Sequence, residues 1–308
     1  MERVYFNGRF CDPARAGLSL DDRGHLFGDG VYEVVRYYGG RPFRMADHVE
    51  RLRRSLAGIE LTGVDPGALA EASDTLVRQQ GLTDAKAYWQ ATRGVPADVA
   101  ERDHLITDAP PRPTVFILVG PVDPLTPGPV PSQTATVVED CRWSRCWIKS
   151  TMLLPCSLAR THARRRGFGD ALFERHKPNG SVHLTEASAA NLFLVDAGAV
   201  RTHPADRWIL GGVTRLHLLE LCGRLGIPAV EQPFDRAALM EADEAFTCGT
   251  THEVTAVTAV DGRPIGTGRS GPIAQRLWEA FVAEVAGGAG AADGGGVQPP
   301  RASATSAA

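Results

Sequence analysis

The stretch "CWIKSTMLLP", residues 146–155, places one lysine, Lys149, among large apolar side chains. An ammonium group that becomes buried in such surroundings must be paired, lose its proton or react. Lysine and arginine together number 33 in this chain, and only Lys86, Lys149 and Lys177 are lysines. Lysine, unlike arginine, can lose its proton near neutral pH and form an imine. Lys149 is therefore a candidate for covalent chemistry. The alternative is a lysine on a half-buried strand with its amine in water.

Two glycine-containing turns have the composition of an anion-binding site. "LGGVTR" opens a predicted helix with Gly211 and Gly212 ahead of Thr214, so free backbone N–H groups and a hydroxyl could face a phosphate. "TCGTTHEV" ends a predicted strand with Gly249 and Thr250, which again combine small size with a hydroxyl. An ordinary glycine-rich turn and an ordinary strand end are the alternatives.

A third motif, "LTEASAAN", places Glu186 among small residues just before an apolar segment. Its carboxylate could cap a turn or pair with a protonated ring nitrogen, and the spacing alone does not choose between these roles. An amine, two phosphate-compatible turns and a carboxylate are together the groups needed to hold pyridoxal 5′-phosphate.

Length and composition limit the classes of protein to which this chain can belong. With 308 residues and 43% hydrophobic residues it can form one large or two medium domains with an enclosed site. A net charge of −3 and a pI near 6.3 argue against nucleic acid or an anionic membrane as a partner. The six cysteines form no C-x-x-C pair, and the sequence has neither a signal-peptide pattern nor a membrane-spanning apolar run. We therefore expect a cytoplasmic enzyme with reduced thiols.

The order of the elements predicts two domains. Hairpin signals at Asn7-Gly8 and Gly39-Gly40, two amphipathic helical stretches and two β-rich runs indicate a small α+β unit. A proline-rich stretch then indicates a linker, after which strands and helices alternate in an α/β or α+β sheet domain. The last stretch has almost no large apolar residue, which predicts disorder. The predicted boundaries are 1–120 for the small domain, 121–133 for the linker, 134–286 for the large domain and 287–308 for the tail.

Seven motifs, in order and at compatible spacing, carry a resemblance to a known family. They are "DDRGHLFGDGVYEVVR", "HVERLRRS", "YWQATRG", "DCRWSRCWIKSTMLL", "LTEASAANLF", "ILGGVTR" and "TCGTTHEVTAV". The chain resembles the fold-type IV pyridoxal-phosphate enzymes and, within them, the D-amino-acid aminotransferases. The resemblance implies an α+β fold of two domains, pyridoxal 5′-phosphate as cofactor, and a homodimer in which a second chain completes the site.

The resemblance also implies roles for individual residues. Lys149 would form the internal aldimine and then move the proton between the substrate α-carbon and the cofactor. Glu186 would pair with the pyridine nitrogen, Tyr32 would lie close to the substrate, and Arg142 would support the surroundings of Lys149 from the same strand. The other cofactor-binding residues would be Arg51, Val213, Thr214, Gly249 and Thr250 near the phosphate and Leu210 against the ring.

Recognition of the substrate carboxylate is expected from the loop after "TRG". In the D-amino-acid enzymes this loop bears an Arg-x-His pair that reaches into the partner subunit's site, and here "ERDH" supplies Arg102 and His104. A guanidinium can grip a carboxylate through two hydrogen bonds, and a positive imidazole can assist. The loop is a few residues longer than the usual form of the family. Arg93 in "ATRG" is a competing candidate.

The predicted reaction is the transfer of an amino group from a D-amino acid to an α-keto acid such as 2-oxoglutarate or pyruvate, by a ping-pong mechanism. Three other activities share the cofactor motifs: branched-chain aminotransferase, (R)-amine transaminase and 4-amino-4-deoxychorismate lyase. A catalytically silent cofactor-binding homologue is the non-enzymatic alternative, and the presence of both Lys149 and Glu186 argues against it.

Overall fold

The computed structural model of the chain describes residues 3–96, 103–106, 112–177 and 179–288. Within these residues the strands form a six-stranded and a nine-stranded sheet. The first sheet uses strands up to Pro121 and the second uses strands from Ser132 onward. The sheets therefore change over in the proline-rich segment that the sequence marks as a linker. Most of the predicted disordered tail lies outside the described residues.

The first sheet is antiparallel throughout its described strands. Asn7 and Gly8 form the tight turn of the first predicted hairpin with positive φ angles of 45° and 86°. Gly39 and Gly40 turn the second hairpin, also with positive φ. Both hairpin predictions are confirmed. The strands are β1 (Val4–Phe6), β2 (Arg9–Cys11), β3 (Gly30–Tyr38), β4 (Arg41–Pro42), β5 (Ala85–Thr92) and β6 (Thr114–Pro121), in the spatial order β2-β1-β6-β5-β3-β4.

Among the described residues, three α-helices accompany this sheet: α1 (Arg23–Phe27), α2 (Met45–Gly58) and α3 (Pro66–Gln79). The α2 and α3 helices bury leucines at helical spacing, among them Leu52 and Leu76, against the sheet. The side chain of Asp65 caps α3 by accepting a hydrogen bond from the Gly67 N–H at 2.9 Å, as the Asp-Pro start predicts. The burial of the apolar face of α2 against the sheet therefore sets the orientation of the whole helix.

The second sheet is mixed. Its strands are β7 (Ser132–Glu139), β8 (Asp170–His176), β9 (Val182–Ala187), β10 (Asn191–Asp196), β11 (Ala199–Thr202), β12 (Ala229–Glu231), β13 (Glu244–Gly249), β14 (Glu253–Val260) and β15 (Arg263–Pro264). The spatial order is β12-β11-β10-β13-β14-β7-β8-β9, with β15 beside β14. The last strand in this order, β9, also pairs with β10, so the sheet curls back on itself. With the first sheet, this arrangement confirms the predicted α+β class.

Four helices follow the linker in the part of the chain that the structure describes. They are α4 (Leu154–Arg165), α5 (Val213–Leu225), α6 (Arg236–Glu241) and α7 (Pro272–Ala286). The core between α5, α7 and the sheet contains stacked Phe193 and Phe246 rings, with centroids 4.9 Å apart, and the buried side chains of Leu218 and Phe281. This packing anchors α5 against the sheet. The turn predicted to bind phosphate lies at the start of this helix.

The strand prediction around Lys149 is wrong. Sequence reasoning placed Arg142 and Lys149 on one strand, but β7 ends at Glu139 and the segment from residue 140 to 153 is irregular. Asp140 ends the strand because its side chain accepts a hydrogen bond from the Arg142 N–H at 3.1 Å and turns the chain. The sequence also missed β9, β11, β12, β14 and β15 as separate strands. Lys86 lies in β5.

Candidate active site

A cavity of about 600 Å³ is lined by residues from both sheets, by the irregular segment after β7 and by the first turn of α5. The predicted site residues that line it are Tyr32, Arg51, Arg142, Lys149, Glu186, Leu210, Val213, Thr214, Gly249 and Thr250. The fold thus brings together groups that are far apart in the chain.

Lys149 is fixed through its backbone, and its amine is paired with no acid among the residues that the structure describes. Its carbonyl accepts a hydrogen bond from the Tyr32 N–H at 2.9 Å, and its own N–H donates to the Ser55 hydroxyl at 3.1 Å. The Lys149 Nζ lies 4.3 Å from the centroid of the Tyr32 ring. Within the described residues, Lys149 makes no ion pair with a carboxylate. The amine is therefore positioned without being committed to an acid, as a nucleophilic lysine requires.

Glu186 lies near the end of β9 with its carboxylate directed to three donors. Oε1 accepts a hydrogen bond from the Arg142 guanidinium, and Oε2 accepts from the Leu210 N–H at 3.1 Å and the Asn191 side-chain amide at 3.2 Å. Burial raises the pKa of Glu186 above its usual range, although Arg142 opposes that rise. The residue is only 5% exposed, so these contacts set its orientation. It can accept one further hydrogen bond from a ligand in the cavity.

Asp140 is a site residue that sequence reasoning missed. Its fully buried carboxylate receives two hydrogen bonds from Arg142, at 2.8 and 2.9 Å, and an ion pair from Arg175 at 3.0 Å. Burial alone would lower the pKa of Arg142, but Glu186 and Asp140 outweigh it and raise that pKa. Arg142 therefore lies between two carboxylates, with Asp140 on one side and Glu186 on the other. The sequence signal for this contact was the position of Asp140, two residues before Arg142.

The first turn of α5 forms a cradle of backbone N–H groups, an arrangement that suits an anion. Gly212 caps this helix, and no side chain caps the N–H groups that follow it at Val213 and Thr214 within the described residues. A Cβ atom at Gly212 would lie 2.0 Å from Asn191 Oδ1, so only glycine fits there. Thr250, directly after β13, lines the same cavity. A phosphate group fits these donors.

Arg51 is directed toward this cradle by a buried acid that sequence reasoning missed. Glu33 on β3 pairs with Arg51 through Nε at 2.9 Å and Nη2 at 2.5 Å, while Nη1 of Arg51 donates to the Gly211 carbonyl at 3.3 Å. His48 also lies against Glu33, at 2.9 Å. Burial alone would raise the pKa of Glu33, but Arg51 and His48 together hold it well below the usual range. A lone acid in the apolar strand "GVYEVVRYY" was the available signal.

Two of the predicted carboxylate-binding residues, His104 and Arg93, do not line this cavity. Arg102 lies outside the described residues, so its role stays a prediction. His104 is exposed on residues 103–106 and does not line the cavity. Arg93 is buried and engaged elsewhere: it donates to Asp29 at 2.8 and 3.1 Å and to the Ile59 and Glu60 carbonyls. These contacts leave Arg93 facing the scaffold, so it is the weaker candidate for binding a substrate.

The chemistry of the donor set fits pyridoxal 5′-phosphate. Arg51 and the α5 cradle suit its phosphate, Glu186 suits its ring nitrogen, Leu210 suits an apolar contact with its ring, and the amine of Lys149 suits its aldehyde carbon. Among the described residues, no cluster of acids, histidines and cysteines could hold a metal ion, and no helix is long and apolar enough to cross a bilayer.

Comparisons with known proteins agree with this chemistry. The sequence model of the family described as Amino-transferase class IV matches residues 30–260. The D-alanine aminotransferase of Staphylococcus aureus (strain N315) is 36% identical over 286 residues, covering 91% of this chain and 97% of that protein.

Solved structures of branched-chain aminotransferases have a closely similar fold. The Escherichia coli enzyme superposes with a TM-score of 0.81 at 27% identity, covering 92% of this chain and 94% of that one. The enzyme from Thermoproteus uzoniensis, solved with norvaline, superposes with a TM-score of 0.79 at 30% identity, covering 92% of this chain and 95% of that one. Since the family match spans most of the sequence and the curated relative matches nearly end to end, this chain belongs to the class IV aminotransferases, which use pyridoxal 5′-phosphate.

Proposed function

We propose that this enzyme is a D-amino-acid aminotransferase that passes an amino group from a D-amino acid to 2-oxoglutarate or pyruvate. The observation that carries the proposal is the 36% identity to a D-alanine aminotransferase along 91% of the chain. The branched-chain enzymes, the second candidate, share the fold at TM-scores near 0.8, but the two described above are only 27% and 30% identical. The seven sequence motifs support the first candidate as well.

The chain's own groups divide the work of transamination. When bound, the cofactor supplies an acceptor for the electrons left at the substrate α-carbon. Lys149 Nζ would take the proton from that carbon. Its fixed backbone and an amine that makes no ion pair within the described residues support this role. Glu186 would hold a proton on the ring nitrogen. Arg51 and the first turn of α5 anchor the phosphate, which keeps the reacting groups in register.

The substrate carboxylate needs a cation, and two of the three arginines among the described residues that line the cavity are already paired. Arg51 is paired with Glu33, and Arg142 is paired with Asp140 and Glu186. The remaining arginine among the described residues that line the cavity, Arg160 on α4, is exposed. We therefore retain Arg102 and His104 as the predicted carboxylate-binding pair, contributed by a second copy of the chain. The exposed positions of residues 103–106 are compatible with that arrangement.

A homodimer is part of the proposal. Large apolar side chains near the cavity and on the 103–106 loop are exposed in the single chain: Met152, Leu153, Leu105 and Ile106 are 44%, 39%, 64% and 48% exposed. Such side chains are typical of a surface that another protein covers. The reducing interior of the cytoplasm is the proposed location, since all six cysteines are free thiols.

A donor panel tests the proposed substrate class. Paired D- and L-forms of alanine and leucine, together with (R)-1-phenylethylamine, are each supplied with 2-oxoglutarate, and both forms of glutamate are supplied with pyruvate. Formation of the keto acid or ketone that derives from the donor is measured. We expect kcat/KM for D-alanine to exceed that for L-alanine by at least about 100-fold, because a site built around polar contacts rejects a misplaced group strongly. Preference for L-leucine would indicate a branched-chain enzyme. Preference for the amine would indicate an (R)-amine transaminase.

A further inference from the structure

Arg23, the first residue of α1, is a buried side chain that grips the loop bearing His104. Its Nη1 donates hydrogen bonds to the carbonyl oxygens of Asp103 at 3.0 Å and Leu105 at 3.2 Å, and its Nη2 donates to the His104 carbonyl at 2.9 Å. Its Nε donates to Asp29 at 2.8 Å. One guanidinium thus binds the carbonyls of three consecutive residues that lie 80 to 82 positions away in sequence.

The backbone that carries Arg23 is itself fixed. The Asp22 side chain caps α1 through the Gly24 N–H at 2.8 Å and also accepts a hydrogen bond from the Thr92 hydroxyl at 3.0 Å. The Arg23 N–H donates to the Gly94 carbonyl at 2.9 Å. A Cβ at Gly24 would lie 2.1 Å from the Thr92 side chain, so α1 sits directly on the end of β5. These contacts fix the backbone from which the Arg23 side chain extends.

Burial does little to hold the described part of this loop, residues 103–106. Residues 103–106 are all exposed, and the Leu105 N–H bonds locally to the Asp103 carboxylate at 2.9 Å. A segment with few buried apolar contacts opens at low free energy, so hydrogen bonds from a fixed side chain have a large influence on its position. The planar fork of arginine can serve three carbonyls together, which the single ammonium of lysine does less well.

We infer that Arg23 is a positioning residue for substrate recognition: it fixes the backbone around His104, so that the imidazole is held where a substrate carboxylate binds. This inference rests on the proposed function, which assigns carboxylate binding to this loop. Asp29 also holds Arg23 in place, because its carboxylate accepts hydrogen bonds from both Arg23 and the buried Arg93.

Arg23→Gln in the holoenzyme removes the grip without removing any group from the cavity. We expect KM for D-alanine to rise by up to about 100-fold, the scale on which a small misplacement of a binding group acts. The value of kcat at saturating donor should change by less than about 3-fold, and the visible band of the bound cofactor should persist. Arg23→Lys keeps the charge but not the planar guanidinium, so its KM for D-alanine should lie between those of Arg23→Gln and the wild type. Arg201→Gln is the matched control, because Arg201 is a half-buried arginine on β11 that does not line the cavity.

Hydrogen exchange provides a readout that does not depend on turnover. In Arg23→Gln the peptide containing residues 103–106 should exchange its amide protons faster than in the wild type, whereas Arg201→Gln should not alter it. Unchanged exchange would overturn the grip itself. Faster exchange with an unchanged KM, or an equal loss of kcat and cofactor, would overturn the positioning role. A wild-type enzyme that ignores D-alanine would refute the proposed function and with it the substrate role, while the exchange result would still decide whether Arg23 holds the loop.

Discussion

Replacing Lys149 with alanine is expected to abolish transamination and to remove the visible absorbance band of the lysine-bound cofactor. The loss in turnover should exceed about 10⁴-fold, the upper end of what one acid–base group contributes, because the proposed mechanism gives Lys149 both the covalent bond to the cofactor and the transfer of the proton. The cofactor phosphate should still bind weakly through Arg51 and the first turn of α5. Absorbance spectra and steady-state rates measure the two effects.

Lys86 and Lys177 are the natural controls for this change. Lys86 is exposed on β5 and Lys177 follows β8, and neither lines the cavity. Alanine at either position should leave the band and the rate unchanged. The assignment would be refuted if borohydride reduction of the Lys149→Ala variant trapped the cofactor on Lys86 or Lys177.

Glu186→Gln is expected to leave the cofactor bound but to slow the half-reaction with D-alanine by about 100- to 1,000-fold, the cost of losing one preorganised electrostatic contact. A neutral amide cannot hold a proton on the ring nitrogen, so the cofactor becomes a poorer acceptor of electrons. Stopped-flow absorbance measures this step directly. Glu244→Gln is a matched control, because Glu244 is 6% exposed, compared with 5% for Glu186, and binds the first N–H groups of α7.

The same substitution predicts a change in pH dependence. Burial raises the pKa of Glu186, so the carboxylate takes up a proton as the pH falls through that raised value. The wild-type rate should therefore fall on the acid side, where the neutral form replaces the ionised one. Glu186→Gln has no group to titrate and should lack this acid limb. An unchanged half-reaction rate together with an unchanged acid limb would mean that Glu186 is structural.

Local chemistry made much of the site predictable. Lys149 stands out because a lysine in an apolar run is chemically unusual, and Gly212 with Thr214 because a glycine-rich helix start exposes N–H groups within one short motif. Each of these signals needs only a few neighbouring residues. The cavity contains all of these residues, together with Glu186 and Arg51, because the two sheets and α5 bring their motifs to one place.

Positioning contacts were harder to predict because they join distant parts of the chain. Glu33 aims Arg51 from 18 positions away, Arg142 contacts Glu186 from 44 positions away, and Arg23 reaches the His104 carbonyl across 81 positions. No periodicity encodes such pairs. The prediction of one strand containing Arg142 and Lys149 was wrong for a related reason. The Asp140 side chain accepts a hydrogen bond from the Arg142 N–H and ends β7, and residue preferences for strands do not capture such a contact.

The most direct test of the proposed function is a half-reaction in which D-alanine is added to the holoenzyme without any keto acid. We predict that the visible band of the cofactor converts to that of its amino form with release of one pyruvate per site. Later addition of 2-oxoglutarate should restore the band and yield D-glutamate, identified by chiral chromatography. L-Alanine should leave the spectrum unchanged on the same timescale. Conversion by L-alanine at an equal or faster rate, with L-glutamate as the product, would contradict the central claim.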